Sequence, residues 1–478
     1  MRNPIIGREK ELAILDKLIV SNQAEFLVVY GRRRVGKTYL IYEYLKEKIV
    51  FSFSGSFEAS TQQQIGNFFR EYLRITEGKS ETETPKNWET AFSYLTDYLY
   101  NLAPGQSKVV LFIDEMPWLD RPKSGFITAL EYFWNQHVSK MPHVLLITCG
   151  SAASWMKKKL LKAKGGLYNR VTSRMKLEPF SLAQTALFCK HRNLHFSFYQ
   201  MVQLYMVMGG IPFYLNELSR GKSVTQLIDE ICFSPNGLLY DEYEQLYYSL
   251  FKQADNHIAV VEALAAHPHG LVRSQLVKKS GLPDGGTVKR TLDDLIESGF
   301  IKKFLPFAKK QKDSIYRLVD QYSLFYLRFI RDNKAVFNTS WQAISSEPAF
   351  LSWSGYAYEN IWLLHLSNIL KKLGIQGTIV KISSWFHKGN DEIPGAQIDL
   401  LINRKDGLLH LCEVKFSNKE FIITKEYVGQ LRRKRAVFEQ VTQTKKAVVT
   451  TLLSTYPAIQ NKYYLEEIHS EVTMEDLF

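Results

Sequence analysis

Phe26-Leu-Val-Val-Tyr30 runs directly into Gly31-Arg32-Arg33-Arg34-Val35-Gly36-Lys37-Thr38, and the helical text Tyr39-Leu-Ile-Tyr-Glu-Tyr-Leu45 follows. An apolar run, a G-x-x-x-x-G-K-T loop and a helix, in that order, form the setting in which this spacing binds phosphate. The chemistry explains each residue type. Gly31 and Gly36 let backbone N–H groups turn inward around a β-phosphate at a helix N-terminus, Lys37 neutralises the β- and γ-oxygens, and the Thr38 hydroxyl reaches Mg²⁺. Val35 completes the loop, and Arg32, Arg33 and Arg34 either contact phosphate or stand in solvent. ATP and Mg²⁺ are the expected cofactors.

A metal bound there needs a carboxylate, and hydrolysis needs an oriented water. Lys108-Val-Val-Leu-Phe-Ile113 ends in Asp114-Glu115 and offers both. Asp114 is expected to hold the metal through water, and Glu115 to orient or activate the attacking water. The apolar runs at 26–30, 49–53, 109–113 and 144–148 alternate with amphipathic stretches. They read as buried parallel strands of an α/β sheet spanning residues 1–180.

The chain has 478 residues, room for about three domains. Hydrophobic residues at 45% and charged residues at 23% are ordinary globular usage and exclude a long disordered or fibrous chain. Lys plus Arg number 61 against 48 Asp plus Glu, and the resulting +13 favours a polyanionic partner such as nucleic acid. Cys149, Cys189, Cys232 and Cys412 are too scattered for a CxxC metal pair or a disulfide framework, which fits a reducing cytoplasm. The opening residues have no signal-peptide core, and no run approaches the ~18 apolar residues of a membrane span. Membrane insertion is not expected.

Residues 181–254 lack strand-like runs and read as a helical lid. Residues 257–335 then carry 14 Lys plus Arg against eight Asp plus Glu. Their order is a helix at 258–266, a break at Pro268-His-Gly270, helices at 273–280 and 287–298, and strands at 300–305 and 315–319 around Lys309-Lys310-Gln311-Lys312. Three short helices and a two-stranded wing describe a winged helix-turn-helix over residues 255–335. Such a fold would set Lys289 and Arg290 in a DNA major groove and Lys309, Lys310 and Lys312 against a flanking one, although it also serves as a protein adaptor. Residues 336–349 read as a linker to a last domain at 350–478.

That domain contains Ile398-Asp399-Leu-Leu-Ile-Asn403, a turn at Arg404-Lys-Asp-Gly407, and Leu408-Leu-His-Leu-Cys-Glu413-Val-Lys415. Strand alternation puts Glu413 and Lys415 on one face. A three-residue hairpin loop with a left-handed Gly407 pairs Arg404 with Leu408, and hence Asp399 with Glu413. Two carboxylates and an amine then converge, suited to Mg²⁺ at Asp399 and Glu413 with Lys415 positioning or deprotonating a water for phosphodiester cleavage. Arg432, Arg433, Lys434 and Arg435 form either a phosphate-facing strip or a solvated helix face.

Gly7-Arg8-Glu9-Lys-Glu-Leu, the GRRRVGKT loop, Phe112-Ile-Asp-Glu-Met-Pro-Trp-Leu119 and Cys149-Gly150-Ser151 together resemble the archaeal-type ATPases. That family lies in the signal-transduction branch of the AAA+ class, related to the origin-recognition ATPases. Gly209-Gly210-Ile211-Pro212 resembles the G-x-P element of the branch, and the likeness covers roughly residues 1–220. It implies Thr148 or Ser151 as a polar sensor near the γ-phosphate and Pro212 beside the nucleotide at the start of the lid. It also implies Arg170 or Arg174 as an arginine finger or sensor, in cis or across the boundary of a homo-oligomer. The alternative for both arginines is a structural ion pair.

The C-terminal set resembles the restriction-endonuclease-like nucleases of the PD-(D/E)xK class, with Ile398 where the pattern has proline. Gly355-Tyr-Ala-Tyr-Glu359 resembles the helix start of resolvase-like members, where that Glu joins the metal site, and Gln430 resembles their following motif. The expected architecture is a multidomain α/β chain: a P-loop NTPase parallel sheet with a helical lid, a winged helix, and a restriction-endonuclease-like domain. The expected activity is that of an ATP-binding and ATP-hydrolysing switch that interacts with DNA and carries a Mg²⁺-dependent nuclease-like domain. The alternative is a nucleotide-controlled signalling scaffold whose C-terminal domain is catalytically silent and whose winged helix recruits a protein.

Overall fold

The computed structural model describes residues 4–78, 83–102, 108–161, 167, 169–334 and 340–478. The chain divides into two compact units, Met1–Pro179 and Phe180–Phe478.

The first unit is built on five parallel strands, β1 (Glu25–Tyr30), β2 (Ile49–Ser54), β3 (Val109–Asp114), β4 (Val144–Gly150) and β5 (Ser173–Lys176), in the order β2-β3-β4-β1-β5. Every residue of β1 and β4 is buried, because helices cover both faces of a parallel sheet and leave no solvent side to alternate with. Phe26, Val28 and Tyr30 of β1 face a cluster that includes Phe68, Trp88, Phe92, Phe126 and Phe133. Each such side chain contributes about 1.5–3 kcal/mol of burial. Ser60 and Gln63 form a reciprocal capping box that starts the helix Thr61–Ile75. Strand β1 lies between two strands that come much later in sequence. Its C-terminal end therefore opens on a crevice of the kind where α/β sheets bind ligands.

The second unit opens with helices, among them Leu182–His191, Phe198–Met208 and Pro212–Leu215. Ser181 with Gln184 and Ser197 with Gln200 box the first two. The helices Ala254–Ala265, Arg273–Ser280 and Gly286–Glu297 then combine with β6 (Leu271–Val272), β7 (Ile301–Phe304) and β8 (Ile315–Leu318). These strands form an antiparallel sheet in the order β6-β8-β7. Of the stretch expected to be a linker, residues 336–339 lie outside the described residues. The remainder is not an open tether: Trp341 is buried, with ring centroids 4.9 Å from Phe325 and 5.4 Å from Phe350. An indole packed among rings gives up too much apolar burial on exposure to leave such a segment free.

The last sheet holds β9 (Val380–His387), β10 (Ala396–Arg404), β11 (Leu408–Lys415), β12 (Ala447–Ser454) and β13 (Ile468–Thr473), ordered β13-β12-β11-β10-β9. Strands β9, β10 and β11 are antiparallel, while β11, β12 and β13 are parallel. Gly407 has φ 97°, and Leu400 pairs with Cys412, so the hairpin count sets Asp399 opposite Glu413. On its other edge β10 pairs Ile398 with Trp385 but Leu401 with Ser383. That is a bulge of one extra residue at Asp399 and Leu400, a device that re-aims a side chain. The loop between β7 and β8 docks on this sheet. The Phe307 N–H donates to the Ser384 carbonyl at 2.9 Å, and the Phe307 ring stands 5.4 Å from Phe438.

Candidate functional site

At the end of β1 the chain turns sharply. A Cβ on Gly31 would sit 2.2 Å from the Leu177 carbonyl, so only glycine fits there. Gly36, at φ 89°, directly precedes the helix Lys37–Leu45 and takes a conformation costly for other residues. The buried Lys37 ammonium donates to the Gly31 carbonyl at 3.1 Å, the Arg32 carbonyl at 2.9 Å and the Ser151 hydroxyl at 3.0 Å. The exposed Thr38 places its hydroxyl 2.6 Å from Asp114 Oδ2 at the end of β3. Ser151 donates from Oγ to Glu115 Oε1 at 2.6 Å and from its backbone to Oε2 at 3.3 Å.

Glu115 reaches Ser151 because its backbone is left-handed, φ 43° and ψ 43°, a strain of order 1–3 kcal/mol for a non-glycine residue. Thr148, fully buried on β4, has a hydroxyl without a hydrogen-bond partner among the described residues. Arg32 is buried, whereas Arg33 and Arg34 are half-buried. Val35 is buried, and its carbonyl accepts from the Arg8 guanidinium at 3.0 Å. A second Arg8 nitrogen donates to the Glu178 carbonyl at 3.0 Å. Burial lowers the Arg8 pKa, opposed by Glu11. Bracing of the phosphate loop by Arg8 escaped the sequence reading, although the Gly7-Arg8-Glu9 box was its signal.

Arg170 and Arg174 are both exposed, and neither makes an ion pair among the described residues. Arg174 sits on β5 opposite Val28. Pro212 lies in the second unit, at the first turn of Pro212–Leu215. The acid–hydroxyl pair Thr38 and Asp114 has the donor chemistry of a Mg²⁺ site, and Lys37 stands at the mouth of the loop.

In the second unit the sequence-read residues divide into two groups. Asp399 accepts from the Gln397 amide at 2.5 Å and lies 3.4 Å from His269 Nδ1. Glu359 accepts from Arg317 at 2.9 Å. Donor atoms of His269, Glu359 and Asp399 lie within 4.8 Å of one another. Glu413 is directed elsewhere: it accepts from Tyr427 at 2.8 Å and from Lys434 at 2.8 Å, with Lys415 Nζ at 3.4 Å. Lys415 also stands 4.7 Å from the centre of the Tyr427 ring. The structure thus brings Glu359 and Asp399 together and adds His269, which sequence reasoning missed.

Burial, with Asp399 nearby, pushes the Glu359 carboxyl up to about 7 against the pull of Arg317. Burial acts on Asp399 in the same direction, but hydrogen bonds from His269 and Gln397, with the Arg317 charge, hold it below its ordinary value.

Gln430 is exposed on the helix Lys425–Thr442. The basic strip on that helix is largely paired with acids rather than open to phosphate. Arg432 bonds Glu466 at 2.9 Å and Glu467 at 3.2 Å, Arg435 bonds Glu467 at 3.0 Å, and Lys434 bonds Glu413. The Glu467 carboxylate is fully buried and recruits the arginines as counter-charge. Arg433 remains exposed. Lys289, Arg290, Lys309, Lys310 and Lys312 are exposed as well.

Residues 5–218 match the family described as an ATPase domain predominantly from Archaea. The uncharacterized protein MJECL04 of Methanocaldococcus jannaschii is 26% identical over 443 residues, covering 90% of this chain and 92% of that protein. The uncharacterized ATP-binding protein MJ0423 of the same organism is 44% identical over 43 residues, 9% of this chain and 73% of that protein. Among solved structures, the Walker-type ATPase of Pyrococcus abyssi aligns with a TM-score of 0.49 and 18% identity, over 68% of this chain and 96% of that one. No helix among the described residues is long and apolar enough to cross a membrane. With its glycine-bounded loop, lysine, hydroxyl and paired acids at the ends of parallel strands, the segment 5–218 is an archaeal-type ATPase domain.

Proposed function

We propose that the chain is an ATP-binding and ATP-hydrolysing switch that acts on DNA, with a metal-dependent, nuclease-like C-terminal domain. The observation that carries the ATPase reading is the linked set Lys37, Ser151 and Glu115, beside Thr38 and Asp114. In this reading Lys37 leaves the loop carbonyls for the β- and γ-phosphates, and Thr38 and Asp114 hold Mg²⁺, which supplies charge neutralisation on the phosphates. Glu115 orients the attacking water, and Ser151 reports the γ-phosphate by exchanging its bond to Lys37. Arg170 or Arg174 serves as the finger, and Pro212 starts the lid. Lys37→Ala is expected to abolish nucleotide binding or turnover, measured by phosphate release; unaltered hydrolysis refutes the assignment.

The helices and strands over residues 254–319 support a winged-helix reading, with Lys289, Arg290 and the lysines at 309, 310 and 312 available to DNA phosphates. The mixed sheet that bears Asp399, Glu413 and Lys415, with Glu359 of the helix Pro348–Leu364 beside Asp399, supports the nuclease-like reading, and Gln430 lies on the helix Lys425–Thr442. One observation favours the alternative of a silent, regulatory domain: Arg317 engages Glu359, while Lys434 and Tyr427 engage Glu413. Plasmid DNA incubated with Mg²⁺ and wild type or Lys415→Ala, with and without ATP, separates the two. Identical DNA profiles leave the scaffold reading standing.

A further inference from the structure

His269, Glu359 and Asp399 come from three separate parts of the chain. His269 follows the helix Ala254–Ala265, Glu359 lies on the helix Pro348–Leu364, and Asp399 sits in the bulge of β10. Their donor atoms nevertheless lie within 4.8 Å of one another. Each carboxylate is oriented by a neighbour that engages one of its oxygens, Gln397 on Asp399 Oδ1 and Arg317 on Glu359 Oε2. The Tyr356 ring stands edge-on to the His269 imidazole at 5.2 Å. Ligand groups fixed by outer partners in this way are the usual build of a metal centre.

We infer that these three residues form a divalent metal site, that His269 is its third protein ligand, and that it takes a transition ion such as Mn²⁺, Co²⁺ or Zn²⁺ in preference to Mg²⁺. The preference follows from the donors, because imidazole nitrogen suits first-row transition ions whereas Mg²⁺ selects oxygen and retains its waters. The His269 side chain is 46% exposed, which leaves coordination positions open to solvent and substrate.

The consequence is a clasp between the middle segment and the C-terminal sheet. His269 precedes β6, and Arg317 belongs to β8, so the segment read as a winged helix supplies both a ligand and an orienting cation to the carboxylates. Bonds that hold it in place include Lys302 Nζ to the Leu363 carbonyl at 3.0 Å, the Asn360 amide to the Leu318 carbonyl at 3.1 Å, the Gln321 amide to the Ala357 carbonyl at 3.1 Å, and Phe307 to Ser384. Displacement of this segment would take one ligand with it. The inference rests on the nuclease-like reading in sharing Asp399 and Glu359 with it.

Full-length protein stripped with a chelator and titrated with Co²⁺ reports ligation in its visible absorption. Wild type is expected to bind an equivalent that His269→Ala binds at least about tenfold more weakly. His269→Cys is expected to restore binding and add a thiolate-to-Co²⁺ charge-transfer band. Excess Mg²⁺ is expected to leave the wild-type spectrum in place. Superimposable titrations of wild type and His269→Ala, or a His269→Cys protein without the new band, overturn the site. Reversal by Mg²⁺ overturns the preference for a transition ion. DNA cleavage is scored separately. Ligation through His269 without cleavage refutes the nuclease reading alone, and cleavage with Co²⁺ titrations indifferent to His269 refutes the site alone.

Discussion

The Thr38 hydroxyl donates to the Asp114 carboxylate at 2.6 Å, tying the first turn after the phosphate loop to the end of β3. A metal that used both groups would replace this bond with two of its own. Thr38→Val and Asp114→Ala are therefore expected to lower Mg²⁺-dependent turnover about 10²-fold or more. Nucleotide binding in EDTA is expected to stay near wild type. Phosphate release and a fluorescent-nucleotide titration, each with and without Mg²⁺, check this; equal losses under both conditions would move the pair from metal binding to loop packing.

Glu115 reaches Ser151 through a strained left-handed backbone, so its charge rather than its bulk is the reason for its position. Glu115→Gln keeps the acceptor for Ser151 and removes the charge. It is expected to lower kcat about 10²-fold while KM for ATP changes little, the pattern of a group used in the transition state. A raised KM at constant kcat would instead make Glu115 a binding residue.

Arg317 and Glu359 are paired at side-chain exposures of 6% and 14%. Removing one member leaves the other buried without a counter-charge, so Arg317→Ala is expected to cost about 3 kcal/mol of stability in chelator. Arg317→Met with Glu359→Gln is expected to recover much of that loss, because neither charge remains. Urea unfolding of the two singles and the double measures the coupling.

The exposed lysines at 309, 310 and 312 and the paired Arg432 and Arg435 give opposite forecasts for DNA. Changing the three lysines to alanine is expected to weaken binding and flatten its log-log salt dependence by about 0.9 for each DNA phosphate that the variant no longer neutralises. Changing Arg432 and Arg435 is expected to destabilise the helix packed on Glu467 while leaving the salt slope in place. Fluorescence anisotropy across a salt series reads both.

His365 is buried, and its Nε2 accepts from the Leu182 N–H at 3.0 Å while Nδ1 bonds the Ile361 carbonyl at 2.8 Å. A backbone N–H only donates, so Nε2 is unprotonated and the ring is neutral. Burial lowers its pKa to about 4, with Lys302 adding to the shift. The unfolded chain takes up this proton near pH 6.5 and the folded chain only near 4. The stabilisation is complete above 6.5 and is lost between 6.5 and 4, about 3 kcal/mol in all. His410, lowered to about 4 by burial and Arg404, acts with the same sign. Glu359, raised to about 7, acts oppositely, its contribution fading as pH rises from 4.5 to 7. Comparison with His365→Gln isolates the first effect: the wild-type stability-versus-pH slope over 4–6.5 is expected to exceed that of the variant by up to one proton.

The phosphate loop was legible because everything that defines it is local: a strand, eight residues and a helix. Strands β1, β3 and β4 were legible because burial on both faces leaves unbroken apolar runs, and β2, half-buried at the sheet edge, because it still opens with Ile49-Val-Phe51. β5 was not, since Ser173-Arg-Met-Lys176 lies at the sheet edge with one buried side chain. The hairpin from Asp399 to Glu413 followed from loop length, but the bulge did not, because Ile398 through Ile402 reads as an ordinary strand. His269 stayed hidden for a different reason. It stands in a Pro-His-Gly break, and its companions are some 90 and 130 residues further on. Only packing of the middle segment against the last sheet could reveal it.

Strand β1 is complete by Tyr30, yet its neighbours begin at Val144 and Ser173, and Leu27 pairs with both Ile147 and Ser173. A chain leaving the ribosome therefore carries its phosphate motif from the outset without a sheet to hold it. Long-range pairing of this kind closes late and leaves apolar strands waiting. The Leu177 carbonyl that packs against Gly31 emerges last of all. The surroundings of the phosphate loop are therefore complete only once the chain has been made through Leu177 and has left the ribosome.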